Sequence, residues 1–148
     1  MNAQQRARYD AVRRQAREVD PAGPCGLIAI AMLTGRPMAR IVEVLDELGY
    51  QRGAGIRQSV AWDALGLLGF SCSAAGGLFT PHVTRLDALV QNLATDVQYC
   101  GLGGRYLVSS AEPDGNGGHF SAVVDGVYCD TVAVGNRLVA LVWEVHDA

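Results

Sequence analysis

The dipeptide Asp125-Gly126 constrains this chain more tightly than any other feature. It stands between two runs rich in β-branched and aromatic residues, 118–124 and 127–134. A two-residue Asp-Gly loop favours a type I′ turn, whose twist matches that of the flanking strands. If these residues form the loop, Val124 pairs with Val127, Ser121 faces Asp130 and His119 faces Val132. Side chains alternate with a period of two, and cross-strand partners share a face. His119 and Asp130 are therefore diagonal neighbours on one face, with Cβ atoms about 7 Å apart or less, within reach of an imidazole–carboxylate hydrogen bond. Phe120, Ala122, Val124, Val127, Cys129 and Thr131 fall on the other face, which is apolar and suits a core. A one-residue bulge would reverse this assignment. Read alone, the pair is either a surface histidine and aspartate on a hairpin or a base with its orienting acid.

Further β-rich runs at 105–110 and 137–145 predict an antiparallel sheet in the last third, with Phe70 to Ala74 as one more short strand. The earlier residues follow helical spacing. Residues 2–18 predict a polar helix made basic by Arg6, Arg13, Arg14 and Arg17, a solvated face in its plainer reading. Val19 to Pro24 breaks it. The apolar run Cys25 to Thr34 predicts a short buried helix stopped by Gly35. Ile41, Val44, Leu45 and Leu48 mark a helix opened by Pro37 and closed by Gly49. Ser59 to Leu68 predicts another, with Val60, Ala64 and Leu67 or Leu68 inward, and Thr84 to Ala94 a last one. Helices first and an antiparallel sheet second is an α+β plan. Its parts are a basic helix at 1–18, a mainly helical half at 25–94 and a sheet at 105–146, all in one domain of 148 residues.

Composition excludes several chemistries. All 12 basic residues are arginine, so a lysine Schiff base, a pyridoxal phosphate anchor and a lysine-bearing phosphate loop are ruled out. A net charge of −3 argues against nucleic-acid binding. Neither an apolar run of spanning length nor a secretory pattern occurs, so no membrane partner and a reducing, cytoplasmic setting are expected. The four cysteines, Cys25, Cys72, Cys100 and Cys129, include no CxxC, and none has zinc-ligand spacing with His82, His119 or His146. No metal and no cofactor are expected. Gly101-Leu102-Gly103-Gly104 lacks the full spacing of a dinucleotide fingerprint and reads as a loop. Trp62 and Trp143 read as core. Glu43, Asp46 and Glu47 read as a solvated helix face, and His82 and His146 as structural or exposed.

Cys25 follows Pro-Ala-Gly-Pro at the start of an apolar helix. Unpaired N–H groups and the helix dipole there favour thiolate over thiol. The position equally suits an ordinary buried cysteine. Gly26 beside it is read as leaving room for a substrate backbone, and Gly117-Gly118 before His119 as allowing close approach of a ligand.

Gly23-Pro24-Cys25-Gly26 with its apolar helix, then Gly118-His119-Phe120, then Tyr128-Cys129-Asp130, resemble the papain-like cysteine peptidase superfamily. The nearest in style are the bacteriocin-processing peptidases and small papain-like proteins of bacteriophages. The segment Thr34 to Pro37 with the helix after it resembles the second helix of those phage proteins. The resemblance covers about residues 20–132 as an order of elements and is specific at two short stretches. It implies a papain-like α+β fold, with Cys25 as nucleophile, His119 as general base and acid, and Asp130 as the orienter. It also implies a peptide or protein substrate. One position departs: the family places an oxyanion-hole glutamine six residues before the cysteine, where this chain has Val19. The Cys25 N–H can supply one donor; Gln15 and Asn116 are candidates for the second. Three functions stay open: a hydrolase with an acyl-enzyme intermediate, an acyltransferase or transglutaminase-like enzyme using the same triad, and a scaffold that binds a partner protein without catalysis.

Overall fold

A computed structural model describes residues 1–95, 104–132 and 134–148. The N-terminal half holds four helices: α1 (Ala3–Val19), α2 (Cys25–Thr34), α3 (Met38–Glu47) and α4 (Gln58–Leu67). Strand β1 (Phe70–Ala74), helix α5 (Leu86–Thr95), and strands β2 (Arg105–Ala111), β3 (His119–Val124), β4 (Val127–Tyr128) and β5 (Leu138–Asp147) follow. The five strands form one antiparallel sheet in the order β1-β5-β2-β3-β4. The fold is α+β, with helices leading and sheet following. Cys100, the Gly101 to Gly103 part of the expected loop, and Ala133 lie outside the described residues.

Helix α2 organises the core. Every residue from Gly26 to Thr34 is buried. A helix apolar on all sides must be covered on all sides. It packs on β3 and takes α1, α3 and α4 around it. Gly35 ends it at φ 67°, the left-handed cap that glycine adopts without a Cβ penalty. On α1, Asn2 and Gln5 form a reciprocal capping box, and only Tyr9 and Ala16 are buried, so the helix is a polar rod resting on one narrow stripe. The stripe of α4 is Ala61, Ala64 and Leu65, with Leu68 just beyond; Leu67 points outward.

Both faces of the sheet are covered. Phe120, Ala122 and Cys129 face α2, while Val123, Tyr106 and Val108 meet Leu86, Leu89 and Leu93 of α5. No single helix among the described residues is long and apolar enough to cross a membrane. Trp143 is buried as expected, but Trp62, packed edge-on against it at 5.0 Å, stays 42% exposed.

The hairpin has the expected register, Val124 opposite Val127 and Val123 opposite Tyr128, with Asp125 at φ 52° and Gly126 at φ 77° as a type I′ turn requires. The Cys129 N–H carries the register one step further, to the Ala122 carbonyl at 2.9 Å. The strand then stops instead of running to Val134. The Asp130 carboxylate accepts from the N–H of Thr131 at 2.7 Å and of Val132 at 2.9 Å. Those donors are taken from the ladder, so His119 and Val132 do not pair. This local side-chain capture is the common way aspartate ends regular structure.

Candidate active site

The loop from Asp20 to Pro24 delivers Cys25 to the first turn of α2. Asp20 is buried and accepts from the N–H of Gly23 at 3.0 Å, the N–H of Gly53 at 3.1 Å and the Tyr50 hydroxyl. One carboxylate thus ties the approach to Cys25 to the loop 50–57. Burial resists its ionisation, but the Tyr50, Gly53 and Gly23 donors outweigh that and hold its pKa below the ordinary range. The Tyr50 hydroxyl moves the other way, pushed up by burial and by Asp20.

Ile56 of the same loop lies against Gly26. A Cβ on Gly26 would meet Ile56 Cδ1 at 2.6 Å. The room beside Cys25 is therefore filled by this chain's own isoleucine, which corrects the expectation of substrate backbone there.

His119 arrives from the other half. Arg137, buried at the start of β5's approach, donates to the Ser110 Oγ at 3.0 Å, the Ser110 carbonyl at 3.1 Å and the Gly117 carbonyl, and pairs with Glu112 at 3.0 Å. It pins the turn 111–118, in which Gly117 sits at φ 66°. Gly118 follows, exposed, with open space where a Cβ would be. His119 then opens β3.

His119 Nε2 and Asp130 Oδ2 are 2.6 Å apart, with the two side chains 14% and 7% exposed. With Nε2 engaged, Nδ1 is the nitrogen left for the Cys25 sulfur, which interacts with the ring. Burial raises the Cys25 pKa, but the His119 ring, the Phe120 N–H and the Gly26 N–H together outweigh it, and the thiol lies below its ordinary value. Burial lowers the His119 pKa, but Asp130 and Cys25 overcome this and raise it to about 9. Asp130 is also raised by burial, then brought below its usual range by His119 and the Val132 and Thr131 N–H groups. All three shifts favour thiolate, imidazolium and carboxylate in a row. Cys72 and Cys129 move oppositely, pushed up by burial. Cys129 is a packing residue, as its strand face implies.

Cys25 and His119 sit where two recesses meet, sharing Ala54, Gly55 and Gly118. The first, of about 440 Å³, runs past Asp130 to Tyr9, Arg13 and Arg17 of α1. The second, of about 330 Å³, runs past Phe120 to Ile56, Arg57 and Ser109. The cleft therefore opens to both sides of the sulfur.

Neither glutamine nor asparagine candidate reaches it. Gln15 is exposed on another side of α1, lining a hollow with Val19, Pro37 and Met38. The Asn116 amide donates to Asp114 at 3.2 Å in the turn before His119. Their helix face and turn geometry aim them elsewhere, so no side-chain oxyanion donor is assigned. His146 lies by Ser73 and Glu144, His82 occupies a turn at φ 60°, and Asp46 pairs with Arg52, all away from the cleft. Among the described residues no three His, Cys, Asp or Glu side chains cluster as metal ligands.

Sequence reasoning missed Tyr9. Its ring is buried, and its hydroxyl donates to Asp130 Oδ1 at 3.3 Å and lies 3.2 Å from Thr131 Oγ1. It was the single aromatic in an otherwise polar helix, a signal for burial but not for its partner. Against family models, curated proteins and solved structures, the chain matches none.

Proposed function

We propose that this protein is a cysteine hydrolase with a papain-like triad, cleaving an amide, isopeptide or ester bond of a peptide or protein substrate. The observation that carries the reading is the His119–Asp130 contact at 2.6 Å, with the same ring interacting with a cysteine at a helix N-terminus. A buried cysteine kept for packing would have its pKa raised, as at Cys129; Cys25 has it lowered despite burial.

The Cys25 thiolate attacks the carbonyl carbon, forming a C–S bond while the carbonyl π electrons move to oxygen. The Cys25 N–H, in the first turn of α2, can donate to that oxyanion. His119 gives its proton to the leaving nitrogen or oxygen as that bond breaks, leaving a thioester. Neutral His119 then takes a proton from water, the hydroxyl adds to the thioester carbon, and the thiolate departs. Asp130 holds the ring in place and stabilises its charge; Tyr9 and two backbone N–H groups hold Asp130.

The test uses p-nitrophenyl acetate as acyl donor. The expected result is a burst of nitrophenolate with the acetyl group on Cys25, absent in Cys25→Ala and slowed at least ~100-fold in His119→Ala. Equal acylation of Cys72 or Cys129, or an undiminished burst in Cys25→Ala, removes the reading.

A further inference from the structure

Helix α1 carries three residues at successive turns on one face: Tyr9, Arg13 and Arg17. All three line the recess that holds Cys25, His119 and Asp130. Arg14, one position off this face, lines only a neighbouring hollow. Among the described residues, Arg13 and Arg17, like Arg6 and Arg14 on the same helix, have no ion pair or side-chain hydrogen bond, whereas Arg8, Arg36, Arg40, Arg52, Arg85, Arg105 and Arg137 all do; of the four, only Arg13 and Arg17 line the cleft. Arg13 and Arg17 also border the neighbouring hollow, where Asp10 and Glu18 join them, but neither acid lines the cleft itself. Arg57, at the far end of the second recess, is likewise without a partner among the described residues.

The charge balance of the cleft is thus opposite to that of the chain. The chain carries −3, with 15 acidic residues against 12 arginines. Among the described residues the cleft walls hold Arg13, Arg17 and Arg57 against the Asp130 carboxylate and the Cys25 thiolate, of which His119 offsets one. A recess lined by one sign of charge concentrates counter-ions of the other. Arginine's planar fork fits a carboxylate with two parallel hydrogen bonds.

We propose that Arg13 and Arg17 form an anion-recognition subsite, and that the substrate is an acidic acyl compound, a peptide whose carboxylate sits in this recess while a nearby carbonyl meets Cys25. The inference rests on the hydrolase reading and names the substrate class of that site.

Paired alkylating reagents test it without a known substrate. Iodoacetate and iodoacetamide differ in charge and little in size. Each forms a C–S bond as iodide leaves, and Cys72 in the same chain is the reference. The iodoacetate-to-iodoacetamide rate ratio at Cys25, relative to that at Cys72, is expected to fall about fivefold or more in Arg13→Gln/Arg17→Gln, the scale of losing exposed ion pairs. Arg13→Lys/Arg17→Lys is expected to recover part of it, and Arg14→Gln to leave it in place. A ratio unchanged by the double glutamine variant, or lowered equally by Arg14→Gln, overturns the subsite while rapid iodoacetamide labelling leaves the hydrolase reading standing. Slow reaction of Cys25 with both reagents at neutral pH takes both readings down.

Discussion

At the scale of single residues, two buried carboxylates carry the site, and each has a measurable signature. Asp130 raises His119, so Asp130→Asn is expected to lower the His119 pKa from about 9, read by NMR of the imidazole. An unshifted titration would mean that Asp130 does not govern the ring. The sign for stability follows from linkage. A histidine raised from 6.5 to about 9 contributes stability that is complete below 6.5 and lost as pH rises through about 9. In a Cys25→Ala background, where the opposing titration of the thiol is absent, the protein is therefore expected to lose denaturant resistance as pH rises above 6.5 more than Cys25→Ala/His119→Ala does. Asp20 has the opposite sign. Its pKa is depressed, so its contribution is present above 3.8 and fades as pH falls below that. Asp20→Ala leaves the Gly23 and Gly53 N–H groups and the Tyr50 hydroxyl without their acceptor, and a loss of roughly 2–3 kcal/mol in urea denaturation is expected. A loss under about 0.5 kcal/mol would show that water replaces the carboxylate freely.

At the scale of elements, the loop 50–57 packs Ile56 on Gly26 of α2, and Ile56 forms part of the cleft wall. Gly26→Ala drives a methyl into Ile56 and is expected to cost about 1–2 kcal/mol, overpacking outweighing the helix-propensity gain. Adding Ile56→Ala should relieve most of that overlap. If the double variant is no better than the sum of the singles, the clash is not the cause. The β3–β4 hairpin is the element most legible in the sequence. Asp125-Gly126 dictates turn type, turn type dictates register, and register puts His119 and Asp130 on one face. The length of β4 was not legible, because Asp130 spends its carboxylate on the next two N–H groups and ends the strand. The α1 face was only half legible. Helical spacing shows that Tyr9, Arg13 and Arg17 lie together, and Tyr9, Val12, Ala16 and Val19 mark a narrow stripe that is buried, but the spacing does not say which element the arginines beside that stripe will face. Gln15 failed as an oxyanion candidate for the same reason. Gly26 misled because a missing side chain looks alike whether a ligand or an isoleucine fills the space.

At the scale of the molecule, the helical half brings Cys25 and the sheet half brings His119 and Asp130. Helix α2 covers one sheet face and α5 the other, so the two apolar clusters share the strands between them. Leu27→Ala and Leu89→Ala, one in each cluster, are each expected to cost about 2–5 kcal/mol and to shift one common unfolding transition. Two separate transitions would mean that the halves fold independently. The division of chain order into helices and then sheet is legible in periodicity alone; that the halves close on one another at Cys25 depends on long-range packing no local pattern encodes. A thiolate–imidazolium pair requires that closure, so its titration tests the proposed function. The direct measurement is the pH dependence of iodoacetamide alkylation at each cysteine, read by mass spectrometry on wild-type protein and His119→Ala. Cys25 alone is expected to react well below its ordinary pKa of 9.0, and to lose that low-pH reactivity without His119, while Cys72 and Cys129 react only at higher pH. A Cys25 that titrates like Cys72, or is indifferent to His119, would contradict the account.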